Sequence, residues 1–136
     1  RFVRTLPVDR LHELLCGPLR PPTAVEVWAC LSWDEAIPRA HATRRVFELA
    51  LARMQPPELA ALVKWCTSKP TLSLYPATRI RVFLLPSAAH LPTTATCFAS
   101  LRLPKYGEAS SGNVADLVGK LRMICANEGA WSFNVA

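Results

Sequence analysis

Hydrophobic positions along this chain change their period near residue 70. Before it they recur at helical spacing; after it they mostly alternate. Leu11, Leu14 and Leu15 share one face of a short helix over Val8 to Cys16, which Gly17-Pro18 stops. After Pro21-Pro22, the spacing of Val25, Trp28 and Ala29 predicts a second short helical stretch. Ser32 to Arg39 reads as a linker, with acidic Asp34-Glu35 and a breaking Pro38. Thr43 to Met54 is a helix on the steps of Val46, Ala50 and Met54, flanked by Phe47 and Leu51. Pro56-Pro57-Glu58 opens another, because proline is tolerated in a first turn and Glu58 suits its positive end. Leu59, Leu62, Val63 and Cys66 form its apolar stripe, and Thr67 to Pro70 ends it.

Beyond residue 70, Arg79 to Leu85 alternates, with Ile80, Val82 and Leu84 on one face and Arg79 and Arg81 on the other. Ala99, Leu101 and Leu103 alternate with Ser100 and Arg102, a second strand that Pro104 terminates. Gly107 to Gly112 is a small-residue loop. Asn113 is the expected cap of the next helix, with Asp116 in its first turn. Val114, Leu117, Val118, Leu121, Ile124 and Cys125 make that helix's apolar stripe. The tail alternates again, Trp131, Phe133 and Val135 against Ser132 and Asn134, and reads as a terminal strand. Helices first, then strands mixed with one helix, predict an α+β unit.

At 136 residues, 51% hydrophobic and 19% charged, the chain suits one domain, or one domain with an appendage. No apolar run reaches the ~18 residues of a membrane span, so no membrane partner is expected. The net charge of +6 is spread evenly. A nucleic-acid domain more often gathers its Lys and Arg on one stripe with interleaved aromatics, so no nucleic-acid partner is expected. Arg79 and Arg81 on one strand face, and Arg44 and Arg45 opening one helix, are the local concentrations. A basic face of this kind attracts acidic partners. The chain opens Arg1-Phe2-Val3-Arg4 with no Met and no cleavable leader, and reads as a fragment of a longer protein.

The five cysteines are Cys16, Cys30, Cys66, Cys97 and Cys125. No two have the short spacing of a zinc knuckle, so neither a metal site nor another cofactor is expected. The odd count argues against a disulfide framework and for a reducing compartment, cytoplasm or nucleus. Cys16, Cys30, Cys66 and Cys125 fall on predicted helices and read as buried thiols. Cys97 differs. It stands between a Thr-rich, Pro-containing loop and a strand, where a side chain remains reachable. His90 lies on the same loop, but a Cys–His hydrolase pair is not the favoured reading; His12 and His41 belong to no constellation.

The tract Leu91-Pro92-Thr93-Thr94-Ala95-Thr96-Cys97-Phe98, followed by Leu101-Arg102-Leu103-Pro104-Lys105-Tyr106, resembles the active-site segment of HECT-type ubiquitin ligases. That family carries Leu-Pro-x-x-x-Thr-Cys-Phe and then Leu-x-Leu-Pro-x-Tyr. Glu13-Leu14-Leu15-Cys16-Gly17 resembles a segment near the end of the family's larger N-terminal lobe, and Leu62 to Thr67 resembles its Leu-x-Phe-x-Thr-Gly segment. Phe133 stands where many members have a phenylalanine that supports transfer. Three departures stand out: Ala95 replaces a frequent histidine, Ser68 stands where glycine is expected, and Leu72 to Pro86 lacks a glycine-rich turn.

The resemblance implies a small C-terminal lobe, helices packed on a short mixed β-sheet. Residues 1–34 would be the helical tail of the N-lobe with the hinge, and 35–136 the C-lobe. It implies that Cys97 accepts ubiquitin from a conjugating enzyme as a glycyl thioester and passes it to a lysine of a protein substrate, with Thr96, Phe98 and Phe133 in supporting roles. The conjugating enzyme would dock on the N-lobe, so this chain alone should turn over poorly. By its place ahead of the strand, Phe98 reads as a core anchor of the strand start, and Glu108 and Asp116 are the nearest acidic residues in sequence that could orient the attacking lysine. By the resemblance, Pro104 and Tyr106 would line the path of the ubiquitin tail. The alternative is a catalytically inactive HECT-like protein-interaction module.

Overall fold

The computed structural model describes residues 21–68 and 79–135, those beyond Ala126 as helix backbone only. The helix expected over Val8 to Cys16 lies outside the described residues. In chain order the elements are α1 (Ala24–Ala29), β1 (Leu31–Trp33), α2 (Ala42–Arg53), α3 (Pro56–Thr67), β2 (Ile80–Leu84), β3 (Thr93–Ala95), β4 (Ser100–Leu103) and α4 (Ser111–Val135). The sheet runs β1-β2-β4-β3, with β1, β2 and β4 parallel and β3 antiparallel to β4. This is the α+β unit that the change of period predicts, with the short mixed sheet that the resemblance implies.

Local chemistry sets most helix starts. At α1, Glu26 N–H donates to the Thr23 hydroxyl at 3.2 Å and Thr23 N–H donates to the Glu26 carboxylate at 2.9 Å, which satisfies two orphan donors reciprocally. At α2, His41 Nδ1 accepts from Thr43 N–H at 3.1 Å, so this histidine serves as a cap. At α3, Gln55 N–H donates to Glu58 at 2.7 Å. The α3 exit uses Ser68 in a left-handed conformation (φ 69°), where glycine is favoured. The departure from glycine at this position is therefore a departure in backbone preference as well as in sequence.

Ser32 to Arg39 is not a plain linker. Leu31, Ser32 and Trp33 pair with Ile80, Arg81 and Val82, and Asp34 N–H extends the ladder to Val82 O at 3.0 Å. Three residues with one polar position are too few to show alternation. Ile37, within the same run, is buried. Asn113 is not the cap of α4. The Ser110 hydroxyl accepts from Asn113 N–H at 3.2 Å, and Asn113 Nδ2 turns back to Glu108 O at 2.8 Å. The expected terminal strand is helix instead: α4 runs through Val135. Gly129 is the only breaker near that stretch, a single glycine within a helix is tolerated, and three alternating residues do not define a strand.

The core sits between the helices and one sheet face. Val46, Phe47, Ala50 and Leu51 of α2, Leu59, Leu62, Val63 and Cys66 of α3, and Val114, Leu117, Val118, Leu121 and Cys125 of α4 meet Ile80, Val82, Leu101 and Leu103 of the sheet. Val27 of α1 joins them, and Trp28, Trp33 and Phe47 form an aromatic cluster with ring centroids 5.6–6.5 Å apart.

The far end of β4 is locked. Tyr106 N–H donates to the Thr43 hydroxyl at 2.8 Å, both residues being buried. Tyr106 OH donates to Asp116 at 2.7 Å, and Lys120 reaches both Asp116 (2.9 Å) and Ala88 O (2.6 Å). Burial first, and then the bond to Asp116, push the phenol pKa up.

Thr43→Val should leave the Tyr106 N–H buried without an acceptor and lower stability by about 2 kcal/mol in denaturant unfolding; an unchanged midpoint would contradict the lock. Glu58 gives a pH signature. The Gln55 N–H, and then Arg122 at 2.5 Å, hold its carboxyl below the usual range. A folded pKa below the unfolded one contributes stability that is present above the ordinary value of ~4.3 and lost as pH falls through the folded value. Glu58→Gln should therefore melt lower at pH 7 and lose less on acidification than the parent. Melting curves that fall in parallel from pH 6 to pH 3 would refute this.

Candidate active site at the β3–β4 turn

The residues between β3 and β4 form one 3-10 turn, Thr96–Phe98. β3 pairs antiparallel with β4 through Ala95↔Ser100. The chain must therefore reverse within the residues between that pair, and Cys97 sits at the centre of the reversal. Ala99 N–H donates to Thr96 O at 3.2 Å, closing the turn. Ala99 then takes a left-handed conformation (φ 46°, ψ 52°) that redirects the chain into β4. Its carbonyl accepts from Arg81 N–H at 2.9 Å, so the turn's exit is fixed to β2. The turn lies against α3.

Cys97 is exposed. Among the other described cysteines, Cys66 and Cys125 are buried and Cys30 is intermediate. Burial raises the Cys66 pKa well above the ordinary thiol range, with the neighbouring Cys125 adding to it, and burial also raises Cys30. These thiols are poor nucleophiles at neutral pH. The buried-thiol expectation holds for Cys66 and Cys125, is only partly met at Cys30, and at Cys16 lies outside the described residues.

Thr96 is exposed beside the thiol and contributes its carbonyl to the turn. Phe98 is 78% exposed, so it is not the core anchor expected from its place ahead of the strand. The reason is phase: Leu101 and Leu103 take the core positions, and the left-handed Ala99 breaks the alternation before Phe98. Phe133 lies on the backbone of α4's last turn rather than on a strand.

Other residues singled out from the sequence lie elsewhere. Asp116 is engaged by Tyr106 and Lys120; burial pulls its pKa up, but those two bonds outweigh it and leave the carboxyl lowered. Glu108 is exposed in the loop after β4, beyond the strand's opposite end from Cys97. Pro104 and Tyr106 are buried at that same end. A cleft of about 480 Å³ opens there, lined by His41, Ser87, Lys105 and Tyr106 among others. His90 is exposed on the loop before β3, and no described hydrogen bond joins it to Cys97. The residues that sequence reasoning missed are Arg81 and Ala99, which hold the turn through backbone. Only Ala99's position, directly after a reversal, could have signalled its role.

Left-handed backbone is costly for a residue with a Cβ, by about 1–2 kcal/mol, and free of that cost for glycine. Ala99→Gly should therefore raise stability by about 1 kcal/mol, read as an upward shift of the unfolding midpoint. A fall of similar size would mean that Ala99 is not left-handed.

Comparison with curated proteins finds no match. Among protein families, the model of the HECT-domain (ubiquitin-transferase) matches residues 2–123, nearly the whole chain and all of the turn just described. The chain belongs to the HECT-domain (ubiquitin-transferase) family.

Proposed function

We propose that this chain is the part of a ubiquitin transferase that carries the acceptor thiol, and that the thiol is Cys97. The observation that carries this reading is the exposure of Cys97 at the apex of a turn whose two flanking strands are fixed in the sheet. The reaction is two acyl transfers. Cys97 thiolate attacks the thioester carbonyl that joins ubiquitin's C-terminus to a conjugating enzyme. The conjugating enzyme's sulfur leaves as thiolate and takes up a proton. A neutral substrate lysine amine then attacks the new thioester, Cys97 leaves as thiolate, and the amine's extra proton passes to a base or to water. A thiolate is intrinsically very nucleophilic, and exchange between two thioesters is close to neutral in energy, so access to the sulfur is the first requirement.

Within this reading Thr96 shapes the turn or bonds the thiolate. Phe98 offers its ring to ubiquitin, a role its exposure supports. Phe133 docks on the neighbouring lobe during transfer. The division into an N-lobe tail with hinge (1–34) and a C-lobe (35–136) is part of the same proposal. So is the docking of the conjugating enzyme on the larger lobe.

The test is a charging assay with ubiquitin-loaded conjugating enzyme and the larger lobe supplied. The parent should gain a ubiquitin adduct that reductant removes, Cys97→Ala should gain none, and Cys97→Ser should give at most a slow, reductant-resistant ester. An adduct that persists in Cys97→Ala would move the site to another cysteine. No adduct on the parent would favour the inactive interaction module.

A further inference from the structure

The helices cover one face of the sheet. On the opposite face the strand positions are Ser32 of β1, Arg81 and Phe83 of β2, Ser100 and Arg102 of β4, and Thr93 and Ala95 of β3, with Ser32↔Arg81↔Ser100 and Phe83↔Arg102↔Thr93 as register neighbours; Ser100 is buried between its neighbours, whereas Ser32 and Thr93 are exposed. Arg81 and Arg102 are exposed, and among the described residues neither has a carboxylate partner. None of these strand positions is acidic. Asp34, just past β1, turns its carboxylate into its own loop and accepts from Ala36 N–H at 3.4 Å. The face is thus basic, and the strand register places it beside the thiol: Arg81 N–H bonds the carbonyl of Ala99, two residues after Cys97.

We infer that this face binds an acidic, extended protein segment, the segment of a substrate that carries the acceptor lysine. Three features select that occupant. Charge complementarity requires an acidic one. The spacing suits an extended chain: Arg81 and Arg102 lie one strand and two residues apart, on the order of 8 Å, close to the ~6.6–7 Å between alternate side chains of an extended peptide. The ring argues for peptide over nucleic acid. Phe83 is the aromatic of this face, and the Arg81 guanidinium already sits over it at 5.4 Å to the centroid, so its surface is not open for a base to stack on. The inference rests on the proposed role of Cys97 only for calling the segment a substrate; the binding itself is independent of it.

The experiment is fluorescence anisotropy with the 136-residue chain and three labelled probes: a peptide of alternating Glu and Ser with one lysine, its Gln-for-Glu counterpart, and a single-stranded oligonucleotide of equal charge. At low salt the Glu peptide should bind and the Gln peptide should not. Arg81→Glu with Arg102→Glu should weaken binding by about tenfold or more, as should raising the salt from ~50 to ~200 mM. Arg45→Glu with Arg53→Glu, an equal charge change on α2, should alter it by less than about twofold. Circular dichroism establishes that the reversed variants are folded. Equal binding of the Gln peptide, affinity that survives the Arg81/Arg102 reversal, equal loss in the α2 control, or tighter binding of the oligonucleotide would each overturn the proposal. Failure of Cys97 to take ubiquitin would overturn the function above and leave this measurement standing.

Discussion

The burial of Leu101 and Leu103 determines where everything else near the turn can be. Both are almost fully buried against the helices, and they are two residues apart on an inner strand. A slip of one residue would carry both side chains to the open face and bring Arg102 into the core. With two large side chains and a charge at stake, the register of β4 has one low-energy solution. That solution places Ser100 opposite Arg81 and Ala95. The chain before Ser100 must then reverse outside the sheet, and the thiol goes with it. Cys97 is exposed because leucines downstream are not.

The same strand is secured very differently at its two ends. After Leu103 the chain enters the Thr43–Tyr106–Asp116–Lys120 network, which ties β4 to α2, to α4 and to the loop at Ala88. Before Ser100 the hydrogen bonds among the described residues are backbone ones, Ala99 N–H to Thr96 O and Arg81 N–H to Ala99 O. Side-chain hydrogen bonds and an ion pair therefore fix the strand at one end, and among the described residues Thr96, Cys97 and Phe98 make no side-chain hydrogen bond at the other. Such a division leaves Thr96, Cys97 and Phe98 free to meet another molecule while the strand beneath them keeps its place.

Most of the fold was legible in the sequence because burial follows period. The α2 and α3 stripes face the core as expected, as do the α4 stripe apart from the half-buried Ile124 and the alternation of β2 and β4 apart from Ala99, which lies outside its strand. What was not legible depended on partners distant in sequence. β1 is a strand because β2 offers it a ladder some fifty residues later, and nothing within Leu31–Trp33 says so. Alternation at Trp131 to Val135 mimicked a strand, but a helix already running through Gly129 needs a stronger signal than three residues to stop. Phe98 was misjudged because a large apolar side chain next to a strand usually joins its core; the left-handed Ala99, which an alanine does not advertise, breaks that continuity. The exposure of Cys97 was legible through its place at a loop–strand junction. The grouping of Arg81 with Arg102 required the register.

The proposed transfer to a lysine needs a group to take the lysine proton, and three of the described carboxylates bear on its source. Glu58 is bound to Gln55 and Arg122, Asp116 to Tyr106 and Lys120, and Glu108 lies beyond the far end of β4. None is presented at the turn. An amine with a reference pKa of ~10.4 is mostly protonated near neutrality, so attack is slow unless a neighbouring carboxylate or water receives the proton. An acidic segment on the proposed basic face would bring carboxylates to the edge of the turn together with the lysine. The arginines would hold most of those carboxylates ionised, and one left unpaired near the thioester would be available to the ammonium. On that account the protein supplies an accessible sulfur and a surface that selects charge, and the substrate supplies the base.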